Sequence, residues 1–242
     1  MGIIINKVVK LCLSLTLALT ITSTQADTFS VGVEVLDYSP FYSGKGRAYN
    51  GMSREILDAY SSDKGHSFSY APTKIEKLYD NYFTGVVDFK FPDNPNWKAD
   101  KKKGKDIIYS SPVIITKVGV IVLKGNEAAT LKKVGTVTGF TPWSLLGDIK
   151  AGKLKLVKAT AMRKLLKMLS TGKIDGIYGS IDVVNFHSKK LGKEFKFSNK
   201  YTPSEDKFHF SSFSKKNVIK DFNAWLEANK SKVQSIKDKY LK

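Results

Sequence analysis

The chain has 242 residues, a formal net charge of +18, 42% hydrophobic residues and a single cysteine. This length exceeds one ordinary domain and allows a substantial core, while the cysteine count excludes stabilisation by an internal disulfide. The basic balance favours anionic surroundings, yet only Lys101-Lys102-Lys103 forms a tight run and no arginine cluster or zinc-finger signature occurs, so nucleic acid is not an expected partner.

In chain order, residues 1–26 read as a secretory signal. Lys7 and Lys10 precede an apolar run, residues 11–21, that is too short for a permanent membrane helix, and small residues around Ala26 suit a cut there. Cys12 lies near the start of that run, not at the cut, so lipid anchoring is not expected and the mature chain has no thiol chemistry. Phe29, Val31, Val33 and Val35 then alternate as a strand with one buried face, followed by a loop over residues 37–46. Ser53 is placed to cap a helix carrying Met52, Ile56, Ala59 and Tyr60, which Gly65 ends. Residues 68–70 resemble a short second strand. Thr73 and Glu76 have capping-box spacing ahead of Ile75, Leu78, Tyr79, Tyr82 and Phe83, a helical stripe. Residues 86–91 form a third strand, which the run Pro92-Asp93-Asn94-Pro95-Asn96 breaks. This βαβαβ order predicts a mainly parallel sheet with ligand loops at the carboxyl ends of its strands.

The pattern then repeats. Residues 118–123 and 134–138 read as strands, and Thr141 and Pro142 open a helix that Gly147 ends. Thr160 caps a helix with Met162, Leu165, Leu166 and Leu169, stopped by Gly172 before a short strand at residues 174–178. Residues 207–213 return the chain toward the first unit. Val218, Phe222, Trp225, Val233, Ile236 and Tyr240 mark a C-terminal helical segment interrupted at Asn229. The expected fold class is therefore α/β, built as two βαβαβ-like lobes.

Seven short segments in order resemble the amino-acid-type solute-binding proteins of ABC transporters. They are Val31-Gly32-Val33-Glu34, Tyr38-Ser39-Pro40-Phe41, Gly51-Met52, Gly85-Val86-Val87-Asp88, Ile108-Tyr109-Ser110-Ser111-Pro112, Val134-Gly135-Thr136-Val137-Thr138-Gly139 and Leu169-Ser170-Thr171-Gly172-Lys173-Ile174-Asp175-Gly176. The resemblance implies a type II periplasmic-binding-protein architecture with a two-strand hinge, ligand held in the cleft, and closure recognised by a membrane permease. It places lobe one in residues 27–114 and 208–242 and lobe two in residues 115–207. It further implies a monomer in the periplasm that needs no cofactor.

Candidate ligand-binding residues follow from the loops. Tyr38, Phe41 and Tyr42 present aromatic faces after the first strand, either to a ligand or as plugs of the lobe edge. Glu34 matches an acidic family position near the ligand, or is a paired surface carboxylate. Phe91, Asp93 and Asn94 follow the third strand, with Trp97 as a wall; the alternative is a rigid surface turn. Thr138, Gly139, Phe140 and Thr141 precede a helix whose free N–H groups favour an anionic group, though Thr141 also suits a simple cap. Two positions depart from the family. Lys103 stands where an arginine fork usually grips the α-carboxylate, and a lysine point charge does not reproduce the fork. Ser180 stands where an aspartate often binds the ligand ammonium, with Asp182 as a substitute. The neighbouring Lys101, Lys102 and Lys105 read equally well as a solvated face.

Three functions compete on these residues. Ligand capture for transport requires no chemistry. An enzyme resembling the cyclohexadienyl dehydratases would use Glu34, Asp93, Lys103 or Asp182 as acid or base. A sensor module would present ligand to a receptor. His66, His187 and His209 are dispersed and lack ligand spacing, so no metal is expected, and binding without catalysis is the favoured reading.

Overall fold

The computed structural model describes residues 27–241. The expected signal segment lies outside them. The chain opens with β1 (Thr28–Glu34), the pair β2 (Asp37–Tyr38) and β3 (Tyr42–Ser43), α1 (Met52–Asp63), β4 (Ser67–Thr73), α2 (Ile75–Phe83), β5 (Phe89–Asp93), the single turn α3 (Ala99–Lys102) and β6 (Ile108–Tyr109). It continues through β7 (Ile114–Leu123), β8 (Lys133–Val137), α4 (Leu146–Lys150), β9 (Lys155–Ala159), α5 (Met162–Ser170), β10 (Gly176–Ser180), α6 (Ile181–Ser188) and β11 (Phe195–Phe197). β12 (Ser204–Ser212) returns the chain, and α7 (Lys216–Ala228) and α8 (Lys230–Leu241) finish it.

Strand pairing reveals the duplication. β4-β1-β5 are parallel with the first strand in the middle, and β9-β8-β10 repeat that order. β12 is antiparallel to β5 at His209 and Ser211 and antiparallel to β7 through residues 204–208. β7 in turn is antiparallel to β10. The two parallel units are thus joined by the crossing strands β7 and β12, a two-lobed α/β architecture with a two-strand hinge. Parallel strands need crossover helices, and these leave the strands' carboxyl ends free to carry loops.

The first lobe is held by an aromatic core. Phe210 stacks on Phe89 at 4.5 Å and meets Phe222 edge-on at 5.2 Å. Phe222 in turn packs against Tyr60 at 4.9 Å. Burying rings of this size is the largest apolar contribution available per residue, so α7 is fixed to the first lobe although it lies near the end of the sequence. Trp225 extends the contact and donates its indole N–H to Asp63 at 2.9 Å.

Several local expectations need correction. β5 does not stop at Pro92 but runs through it to Asp93, with every residue buried. β1 pairs with β5 only at Phe89 and Lys90, and the β12 register shifts between His209 and Ser211, so the missing N–H of Pro92 costs no regular ladder bond. Thr73 does not cap α2: Lys74 is the cap residue, Thr73 bonds Ala71, and Glu76 binds Lys98 and Lys101 instead of closing a box. Ser53 and Thr160 are likewise not caps, since Gly51 and Ala161 occupy those positions. The segment after Pro142 is a 3-10 turn over Trp143–Leu145 and then the five-residue α4, which runs through Gly147. The C-terminal break at Asn229 is present, between α7 and α8.

Candidate functional site

Where the two lobes face each other, the chain encloses a narrow cavity. Residues from both lobes and from the hinge line it. Glu34 ends β1, so the strand's last buried side chain is a carboxylate pointing to the edge where ligand loops gather. Tyr42 donates its hydroxyl to Glu34, and the Tyr42 and Tyr38 rings lie 5.6 Å apart. Burial pushes the Glu34 carboxyl above its usual range, against the opposing pull of Lys90 and the Tyr42 hydrogen bond.

The lobes touch through this wall. Tyr38 meets Phe140 edge-on at 5.2 Å, and its hydroxyl accepts the Ser180 backbone N–H at 3.3 Å. Gly139, with φ +95°, lies so close to Ile75 that a Cβ there would sit 2.9 Å from the Ile75 Cβ. Glycine is therefore required both for the backbone conformation and for the close approach of α2.

The hinge supplies Asp206 and Phe208. Both lie on the buried face of β12, where the period of two continues to Phe210. Asp206 is 8% exposed and accepts the Asn94 amide at 2.8 Å. Burial raises its carboxyl to about 7, despite hydrogen bonds from the Lys207 backbone, Trp97 and Asn94. Trp97 packs edge-on against Phe208 at 5.5 Å.

Behind this wall, Asp93 receives two lysines. Lys102 Nζ lies 2.7 Å and Lys90 Nζ 3.5 Å from Asp93 Oδ1, and Ser211 donates to Oδ2 at 2.7 Å. Lys90 also donates to the Pro92 carbonyl at 2.5 Å and sits 4.8 Å over the Tyr79 ring, while Lys102 donates to the Asn94 carbonyl at 2.6 Å. Burial alone would raise the Asp93 carboxyl; the two ammonium groups, with the Lys102 and Ser211 hydrogen bonds, hold it below its usual range. Burial lowers Lys102 to about 8, against the attraction of Asp93.

Of the sequence candidates, Glu34, Tyr38, Tyr42, Trp97, Gly139, Phe140 and Thr141 line the cavity. The others do not. Phe41 and Phe91 are core residues, packed on Phe208 at 5.4 Å and Phe210 at 6.3 Å. Asp93 is consumed by the lysines, and Asn94 braces Asp206. Thr138 is exposed beside the cavity. Lys103 is exposed at the end of α3, whereas its neighbour Lys102 turns inward, because one helical turn after Lys98 separates the two directions. Ser180 caps α6 and shares a hydrogen bond of 2.7 Å with Thr116, which also donates to Asp182 at 2.8 Å, so both side chains are satisfied within the hinge. Thr141 makes no cap hydrogen bond, and a helix as short as α4 offers little dipole to an anion.

Nine lining residues escaped the sequence reading, among them Tyr79, Trp143, Tyr178 and Asp206. Tyr79 belongs to the helical stripe of α2 and reads there as core. Asp206 carried a usable signal, a lone carboxylate in register with the apolar face of its strand.

No protein-family model matches the chain, and no curated protein matches its sequence. Solved structures do. An ancestral arginine-binding protein bound to arginine superposes with a TM-score of 0.71 at 18% identity, covering 89% of this chain and 98% of that one. The chain has the two-lobed periplasmic-binding-protein fold. An arginine third transport system periplasmic binding protein from Legionella pneumophila gives 0.68 at 14% identity, covering 89% and 100%. An ancestral amino-acid-binding protein, a precursor of cyclohexadienyl dehydratase, gives 0.69 at 18% identity, covering 89% and 96%.

Proposed function

We propose that this chain is an exported periplasmic binding protein that captures a small polar ligand between its lobes and presents the closed form to an ABC transporter permease. The observation that carries this reading is the interlobe cavity, walled by Tyr38 and Glu34 on one side, Phe140 and Tyr178 on the other and Asp206 at the hinge. Cavities at such lobe interfaces are where small ligands bind, and closure buries them. In this reading residues 115–207 move as a unit against residues 27–114 with 208–242, and the protein acts as a monomer without cofactor.

Among the described residues no helix is long and apolar enough to cross a membrane, and no group of three metal-ligating side chains occurs. An enzyme on the same scaffold is the second reading. A buried carboxyl near neutrality, Asp206, in the same cavity as Glu34 favours it, because such a group suits proton transfer.

Thermal unfolding of the purified protein against amino acids, amines, small carboxylates and sugars separates the readings. A ligand at 100 times its dissociation constant stabilises the folded state by about 2.7 kcal/mol, so one class is expected to raise Tm saturably. Product formation from prephenate, with no saturable stabiliser in the panel, would contradict the binding reading.

A further inference from the structure

The buried lysines and carboxylates among the described residues do not balance. Glu34, Asp93 and Asp206 are three carboxylates, and Lys90 and Lys102 are two ammonium groups, all at most 8% exposed. Both lysines are committed to Asp93 and to backbone carbonyls, and neither lines the cavity. The cavity itself presents Glu34 and Asp206. Its one basic lining residue, Lys98, is held by Glu76 at 2.6 Å. Charge left over in a dry site is costly unless a counter-ion completes it.

We infer that the cavity is built for one cationic head of an organic ligand, an ammonium or guanidinium group, held by Glu34 and Asp206 between aromatic walls, and that this head rather than a carboxylate identifies the ligand. This rests on the binding-protein reading and names its substrate class. Phe140 and Trp143 line the cavity with aromatic rings, whose faces attract a cation. The hydroxyls of Tyr79 and Tyr178 are buried at the cavity without a well-formed hydrogen bond, and are available to polar atoms of the ligand. Nothing on the wall replaces the arginine fork that a carboxylate would require: Lys103 is exposed, and the short α4 provides no anion seat.

Part of the surplus negative charge is met by a proton on Asp206, which burial raises to about 7; burial shifts Glu34 in the same direction. A cation arriving near neutral pH therefore expels a proton.

The test is calorimetric titration of the whole protein at pH 6.5, in two buffers of different ionisation heat. The probes are agmatine, cadaverine and choline, compared with arginine, lysine, glutarate and glucose. At least one cation without a carboxylate is expected to bind no more weakly than the amino acid sharing its side chain, with release of protons. Asp206→Asn and Glu34→Gln should each weaken it at least tenfold, while Lys103→Ala leaves it unchanged; two isosteric variants guard against a folding defect in either. Saturable binding of glutarate or glucose with no binding of cations would overturn the inference and leave the binding-protein reading standing. A tenfold or greater preference for arginine over agmatine, and for lysine over cadaverine, would overturn it too. If no probe binds and Tm moves with none of the wider panel, both readings fall.

Discussion

Asp93→Ala is expected to destabilise the protein by about 3–5 kcal/mol, the range for removing one partner of a buried ion pair and leaving charge behind. The effect should be large because two ammonium groups lose their common partner. Lys90 has no exposure at all, and Lys102 is covered by Tyr79 and Tyr109, whose rings lie 5.5 and 5.4 Å from its nitrogen. Neither can reach water without opening the wall behind the cavity. Ser211 would also lose its acceptor, and with it the chain of hydroxyls from Tyr82. Urea unfolding checks the value. Adding Lys102→Met to the variant should recover part of the loss, because a similar-sized apolar side chain removes one of the stranded charges. A loss under 1 kcal/mol for Asp93→Ala would mean that the lysines are not held as described.

Asp206→Asn is expected to stabilise the ligand-free protein at pH 8 and to lose that advantage at pH 4. The sign follows from proton linkage. The folded carboxyl titrates near 7 and the unfolded one near its ordinary value, so between these the folded state holds the extra proton and stability falls as pH rises. At one pH unit per 1.36 kcal/mol the cost at pH 8 is at most roughly 4 kcal/mol. Glu34, raised in the same direction by burial, faces the same cavity; the groups that hydrogen-bond Asp206 are the Lys207 backbone, Asn94 and Trp97, and burial keeps the nearby hydroxyls of Tyr38 and Tyr178 neutral. Asparagine can still accept the Asn94 amide through its own carbonyl. Thermal unfolding of both proteins at the two pH values reads the crossover directly. Equal stability at pH 8 would show that the carboxylate is not strained by its surroundings. Conversely, gained stability joined to lost ligand binding would mark Asp206 as a residue kept for function at a cost to the fold.

The fold was legible in the sequence where one period dominated. The alternation of Phe29, Val31 and Val33 and the stripe through Ile75, Leu78, Tyr79 and Tyr82 mark β1 and α2, and the repetition of that order marks the second lobe. Short elements were not legible. β9 is only half covered and β11 spans three residues, so neither has a clean buried face to reveal it. Pro92 misled because its effect on a strand depends on which neighbours still pair there, a tertiary property. The site divided in the same way. Tyr38, Trp97 and Phe140 follow strands whose carboxyl ends the topology places at the cleft, and that order is readable in the sequence. Lys103 is exposed while Lys102 turns inward to Asp93, since a single helical turn sends adjacent side chains in different directions. Asp206 was missed because β12 serves two lobes, and its cavity face is defined only once both are assembled.

The most direct test of the account is intrinsic fluorescence. Two of the three tryptophans, Trp97 and Trp143, line the cavity, and the third, Trp225, is buried in the aromatic core of the first lobe. In a Trp225→Phe variant the emission reports on the cavity alone. Titrating a compound that raises Tm should then change intensity or wavelength saturably, with the same midpoint as the calorimetric titration. A compound that stabilises the protein and binds calorimetrically, yet leaves the emission of Trp97 and Trp143 untouched, would place the ligand elsewhere and contradict the interlobe cavity as the binding site.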